Sequence, residues 1–239
     1  MALETIKQIL RRPFRRMLLS RRLRRYAAGI KPGAGYKVVF GGHWAVLPDW
    51  LVLSEGEQDI TKRLEFPDGS VEVIFTEHVL EHVRFQEGVS FMREAKRILK
   101  PGGTLRIVCP VTEKVLGFSP GSDMDREYLK CLERFYPEEK ELFGRLGFDG
   151  LREFSKVFLL NSIYTGYGHR FIWSSALIAK VLLALGYRDV KVHEIGKGRE
   201  ASYCLERRRR GIYLGRNAAE DQSADYVYDA ESLAVEATR

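Results

Sequence analysis

Short runs rich in Val, Ile and Phe, at residues 37–40, 50–54, 71–75 and 105–109, bracket one stretch whose apolar residues repeat at helical spacing. That stretch is residues 86–100, where Val89, Phe91, Met92, Ala95, Ile98 and Leu99 share a face. Strand-like runs separated by helical pattern predict a mostly parallel sheet with crossover connections. Pro101-Gly102-Gly103 is expected to end the helix ahead of a strand at 105–109, and Pro67-Asp68-Gly69-Ser70 to turn the chain into the strand at 71–75. Towards the C-terminus the pattern predicts a helix over 174–185 capped by Ser174 or Ser175, a strand at 190–195 and a last strand at 232–237. One connection is short: eight residues lie between Gly41 and Trp50, where a parallel crossover usually takes about a dozen.

Two stretches stand outside this alternation. In residues 1–30, Leu3, Ile6, Leu10, Phe14, Met17 and Leu18 fall at helical spacing with arginines mostly opposite, and Pro13 divides the segment into two short helices. Such a basic amphipathic segment either lies on an anionic membrane surface or packs its apolar stripe on the domain, residues 31–239, that follows. Residues from about 112 to 168 form an insertion after the strand at 105–109, rich in turn residues and aromatics, with a helical pattern at 124–135. Most of these aromatics are expected to be the insertion's own core, and a few to stack on an acceptor.

The segment Phe66 to Ser70, the six residues Glu77 to His82, and Arg93-Glu94-Ala95 followed by Arg97 to Gly103 resemble the core of class I S-adenosylmethionine-dependent methyltransferases. With Gly168-His169-Arg170 and Val235-Glu236-Ala237, the chain looks like a type 11-like subgroup associated with polysaccharide biosynthesis. The resemblance implies a Rossmann-like α/β sandwich, a mostly parallel sheet whose last strand runs antiparallel between its two predecessors, and S-adenosylmethionine as cofactor. It implies O-methylation of a saccharide or glycolipid precursor. The alternative is a methyltransferase-like scaffold without catalysis at a membrane surface, which His43 in the family's Gly-x-Gly turn and Ser54 in place of an acid support.

Ligands of doubly wound sheets sit at the carboxyl ends of the strands. That rule, with the resemblance, assigns Gly41, Gly42, His43, Ser54, Asp59, Ile60, Thr76 and Glu77 to the cofactor. A histidine can take the proton of an acceptor hydroxyl near neutral pH, and the candidates are His78, after the strand at 71–75, and His169. Glu81 and His82 read more simply as a helix start. Arg170 and Tyr167 are candidates to hold the acceptor, Arg170 as a clamp on phosphate or carboxylate. His169 is equally readable as a tie between insertion and body.

Charge changes this picture only once it is located. Lys7 and eight arginines against Glu4 give residues 1–25 a charge of +8, so against +7 for the whole chain the other 214 residues sum to −1. No aromatic-interleaved patch accompanies the basic segment, which argues against nucleic acid as partner. Three widely spaced cysteines form neither a disulfide framework nor a metal cluster, no metal is expected, and no apolar run approaches a membrane span. A cytoplasmic protein, peripheral at the inner membrane face, is the expectation.

Overall fold

The computed structural model describes residues 20–21, 23, 26, 35–41, 47, 49–54, 56–118, 129–130, 132–133, 136–206 and 229–239. The expected helical segment at residues 1–18, most of the helical pattern expected at 124–135, and the candidates Gly42 and His43 lie outside them.

Six strands form one sheet: β1 (Tyr36–Phe40), β2 (Leu51–Leu53), β3 (Val71–Glu77), β4 (Leu99–Pro110), β5 (Arg188–His193) and β6 (Ser232–Thr238). Their order across the sheet is β2-β1-β3-β4-β6-β5. β1 pairs in parallel with β2 and β3, and β3 with β4. β6 runs antiparallel between β4 and β5. This is the Rossmann-like methyltransferase arrangement expected from the sequence, including the parallel β1–β2 pair across the short connection, with Val38 opposite Leu51 and Phe40 opposite Leu53.

The β1 and β3 runs are apolar on both sides because both faces are covered. Val38, Phe40 and Ile74 pack on one face with Phe91, Met92, Ala95 and Ile98 of α1 (Phe85–Ile98) and Ile178 and Leu182 of α6 (Ser175–Ala184). Val39, Val73, Phe75, Val108 and Ala234 pack on the other with Leu47, Trp50 and Leu205. Burying each such large side chain is worth roughly 1.5–3 kcal/mol. Ser174 is the residue that caps α6, its side chain accepting from the Leu177 N–H at 3.1 Å. Of the basic N-terminal segment, Ser20, Arg21, Leu23 and Tyr26 are described, and Ser20 and Arg21 are exposed. Leu23 and Tyr26 pack against the main core, and the Tyr26 hydroxyl donates to the Asp49 carbonyl at 2.5 Å.

The sheet corrects two boundaries: the strand expected at 190–195 is β5, Arg188–His193, and β4 starts earlier than expected. Pro101-Gly102-Gly103 does not separate α1 from a later strand, because β4 already begins at Leu99. Pro101 disfavours helical geometry at Lys100, and Leu99 is extended (φ −63°, ψ 139°). β4 also carries a group the apolar pattern hides: Arg106 is wholly buried, bound to Glu206 and, at 2.7 Å, to Glu236, with the Lys197 carbonyl as a further acceptor. A buried guanidinium is tolerable only when paired in this way.

Between β4 and α6 lie α2 (Thr112–Leu116), α3 (Pro137–Leu146), α4 (Gly150–Glu153) and α5 (Ser155–Thr165). Val115, Phe118, Leu159, Ile163 and Ile172 give this insertion a small core of its own. Phe143 packs on Phe148 and Phe158, while Phe154, Tyr164 and Tyr167 are exposed.

Candidate active site

The carboxyl ends of β1 to β4 point the same way, and because β6 is antiparallel its first residue, Ser232, joins them. At the end of β1, Gly41 has φ +84°, and a Cβ there would lie 2.0 Å from Val79 Cγ2. Glycine is needed at this position on both counts, and the close neighbour is a protein side chain. Ser54, just past β2, uses its N–H and its hydroxyl to hold Glu57 Oε2, each at 3.1 Å. Glu57 thereby places a carboxylate where the sequence pattern had offered only Ser54 and its neighbour. Asp59 is exposed and its Oδ1 accepts from the Thr61 N–H and hydroxyl at 2.9 and 2.7 Å, an Asx turn. Ile60 is buried in the main core. Thr76, beside Phe40 of β1, is buried, and its hydroxyl has no hydrogen-bond partner among the described residues. Glu77, the last residue of β3, is buried as well.

His78 leaves β3 in a left-handed conformation, φ +50°, which side-chain-bearing residues rarely adopt. Its N–H still donates to the Val108 carbonyl at 3.0 Å, so the turn is anchored on β4. The turn swings the imidazole between two partners: Nδ1 lies 3.1 Å from Glu81 Oε1, and Nε2 lies 3.3 Å from the Ser232 hydroxyl. Burial by itself would lower the His78 pKa. The bond to Glu81 and the charges of Glu81, Glu231 and Glu77 outweigh it and raise the pKa. Glu81 is wholly buried, which by itself would raise its carboxyl, but its bond to His78 holds it below the usual range.

Glu81 belongs to a 3-10 turn, Leu80–His82, pinned by the segment after α5. The Glu81 carbonyl accepts from the N–H groups of Arg170 (2.7 Å) and Phe171 (3.2 Å), and the Leu80 carbonyl accepts from Trp173 Nε1 at 3.3 Å. These bonds bring His169 against His82, their rings 4.8 Å apart and edge to face. His169 Nδ1 lies 2.5 Å from the Ile163 carbonyl oxygen, and burial lowers the pKa of the ring. Tyr167, at φ +55°, packs its ring 5.6 Å from that of His169, and both Tyr167 and Arg170 are exposed at the rim. Thus both histidines proposed as bases stand near one buried carboxylate, His78 at 3.1 Å and a donor atom of His169 within 4.8 Å. Sequence reasoning passed over that carboxylate, and it also missed Ser232 and Glu57. The i, i+3 spacing of His78 and Glu81 was the one signal that could have found it.

A family model covers the part of this site from Ser54 to His82. Residues 51–107 match the methyltransferase domain family. The match covers under half of the chain, and over those residues it agrees with the expected methyltransferase. No curated protein matches significantly. Among solved structures the chain is similar to a SAM-dependent methyltransferase from Archaeoglobus fulgidus, at 14% identity over 97% of this chain and 98% of that one, with a TM-score of 0.43. It is similar to Haemonchus contortus Phospholethanolamine N-methyltransferase 2, solved with phosphomonomethylethanolamine and S-adenosylhomocysteine, at 12% identity over 89% of this chain and 51% of that one (TM-score 0.41). A third is geranyl diphosphate C-methyltransferase from Streptomyces coelicolor, solved with Mg2+, geranyl diphosphate and S-adenosylhomocysteine, at 10% identity over 80% and 54% (TM-score 0.38). These are distant likenesses, and no residue role is taken from them.

The residues present fit the cofactor. A carboxylate at the end of β2 suits ribose hydroxyls, and the unpartnered Thr76 hydroxyl at the end of β3 is a polar atom that a bound ligand can satisfy.

Proposed function

We propose that this chain methylates a hydroxyl oxygen of a saccharide or glycolipid precursor, with His78 taking the hydroxyl proton. The observation that carries the reading is the His78–Glu81 pair at the carboxyl end of β3, inside the stretch matched as a methyltransferase domain. When bound, S-adenosylmethionine supplies a methyl group on a sulfonium, and such a transfer asks the protein mainly for alignment and a dry site. Glu57, Thr76 and Glu77, with the turn at Gly41, Gly42 and His43, would hold it.

Glu81 fixes the ring of His78 through Nδ1 and leaves Nε2 to receive the proton. At rest Nε2 faces the Ser232 hydroxyl, and an acceptor hydroxyl would take up that contact. Arg170 and Tyr167 stand exposed at the rim, where a guanidinium suits a phosphate or carboxylate and a tyrosine ring suits the face of a sugar. No described helix is long and apolar enough to cross a membrane. A lipid-linked acceptor is supported by the +8 charge of residues 1–25, each basic residue contributing about 1 kcal/mol near an anionic surface.

The test is labelled-methyl transfer to a panel of nucleotide sugars and lipid-linked glycans. His78→Gln is expected to lower turnover by about 10²-fold or more while S-adenosylhomocysteine still binds with wild-type affinity. Unchanged turnover would exclude His78 as the base, and the absence of transfer to every saccharide acceptor would sink the substrate class.

A further inference from the structure

The side of Glu81 turned away from His78 is not explained by proton transfer. Its Oε2 is buried and has no hydrogen-bond partner among the described residues. A buried, ionised carboxylate oxygen without a donor is costly, and folded proteins rarely keep one without a use. Two imidazoles stand beside it: one ligand-capable atom from each of Glu81, His82 and His169 lies within 4.8 Å of the others.

We propose that Glu81, His82 and His169 bind one divalent transition-metal ion, with Zn2+ as the best fit to the donor set. Two imidazole nitrogens and one carboxylate oxygen suit Zn2+ and its neighbours in the first row and are a poor set for Mg2+ or Ca2+, which take oxygen ligands. The tautomer of His169 is already the right one. The Ile163 carbonyl can only accept, so Nδ1 carries the proton and Nε2 keeps its lone pair. A ring whose far nitrogen donates to a backbone carbonyl is the usual outer support of a metal-bound histidine.

The frame is equally prepared. The two bonds from the Arg170 and Phe171 N–H groups to the Glu81 carbonyl clamp the segment bearing His169 onto the turn bearing Glu81 and His82. His78, held to Oε1, is the outer hydrogen bond of the carboxylate. Ligands at roughly 2.0–2.2 Å from a tetrahedral zinc stand about 3.4 Å from one another, so donor atoms that now lie within 4.8 Å of one another must draw closer on binding. Three protein ligands leave a tetrahedral ion one open position, the pattern of a catalytic site. Tyr167, Gly168 and Arg170, the chain neighbours of His169, are exposed. An acceptor oxygen in that position is a use that rests on the methyl-transfer reading, whereas the binding of metal does not.

The experiment is calorimetric titration of chelator-treated full-length protein with Zn2+, beside the visible absorption spectrum of the same protein with Co2+. One ion per chain is expected, with a Co2+ spectrum of nitrogen ligation and low coordination number. His169→Gln and His82→Ala should each weaken binding by about tenfold or more, with unfolding curves recorded to show that both variants fold. An absence of binding, an octahedral all-oxygen Co2+ spectrum, or affinity unchanged in the double variant would each overturn the proposal. S-adenosylhomocysteine is titrated into the same samples. Zinc binding without cofactor binding keeps the metal site and removes the methyl-transfer reading; cofactor binding without zinc removes the metal site alone.

Discussion

His78, Glu81, His82 and His169 form a compact polar group around one buried carboxylate, and its electric field reaches Cys109 behind it on β4. Burial, with the charges of Glu81 and Glu113, pushes the Cys109 thiol well above its ordinary pKa. The thiolate is the reactive species, so Cys109 should stay unmodified by iodoacetamide at pH 8 in the folded protein and react once the chain is unfolded. Peptide mapping by mass spectrometry checks this, and modification in the native state would show that the carboxyl end of β4 is open to solvent. The histidines were legible in the sequence because a polar cluster following a strand is exposed to ligands by topology. The carboxylate was not, because its burial is imposed from far along the chain by the Arg170 and Phe171 backbone and the Trp173 ring. Ser232 was hidden for the same reason: only the antiparallel direction of β6 brings its first residue to this edge.

Strands and helices were legible wherever one period held over several residues, as in β1, β3, α1 and α6. The pattern misplaced the start of β4, where Pro101-Gly102-Gly103 mimics a helix stop although the strand has already begun. It was silent on polar groups that belong to a strand, since Arg106 reads as an exposed interruption until Glu206 and Glu236 arrive from elsewhere. The junction of α6 with α1 gives an element-scale test. The hydroxyl of Tyr187, just after α6, donates to the Met92 carbonyl at 2.9 Å, and burial raises its pKa far above the usual phenol value. Above about pH 10 the unfolded chain releases this proton and the folded chain keeps it. Stability is therefore present below that pH and is lost as the pH rises through it, by about 1.4 kcal/mol per pH unit for one proton. Tyr187→Phe should remove that share of the alkaline decline while costing about 1 kcal/mol at pH 7. Urea unfolding at pH 7, 10 and 11 measures both, and an alkaline slope unchanged by the substitution would contradict the account.

At the scale of the molecule, a near-neutral body carries the site and a basic N-terminal segment carries the charge. The sheet order sets Gly41, Ser54, Thr76, Glu77 and His78 along one edge, which is why the fold was readable from alternation while the acceptor was not: the rim that would select it is built by the insertion, whose helices pack largely on one another. The central claim is that this edge binds S-adenosylmethionine despite His43 in the first turn and Ser54 at the end of β2. Calorimetric titration of the purified chain with S-adenosylmethionine and S-adenosylhomocysteine tests it most directly. The account predicts one site per chain for both ligands with affinity in the micromolar range, about −8 kcal/mol. No heat of binding with either ligand would contradict it and return the chain to the reading of a methyltransferase-like scaffold.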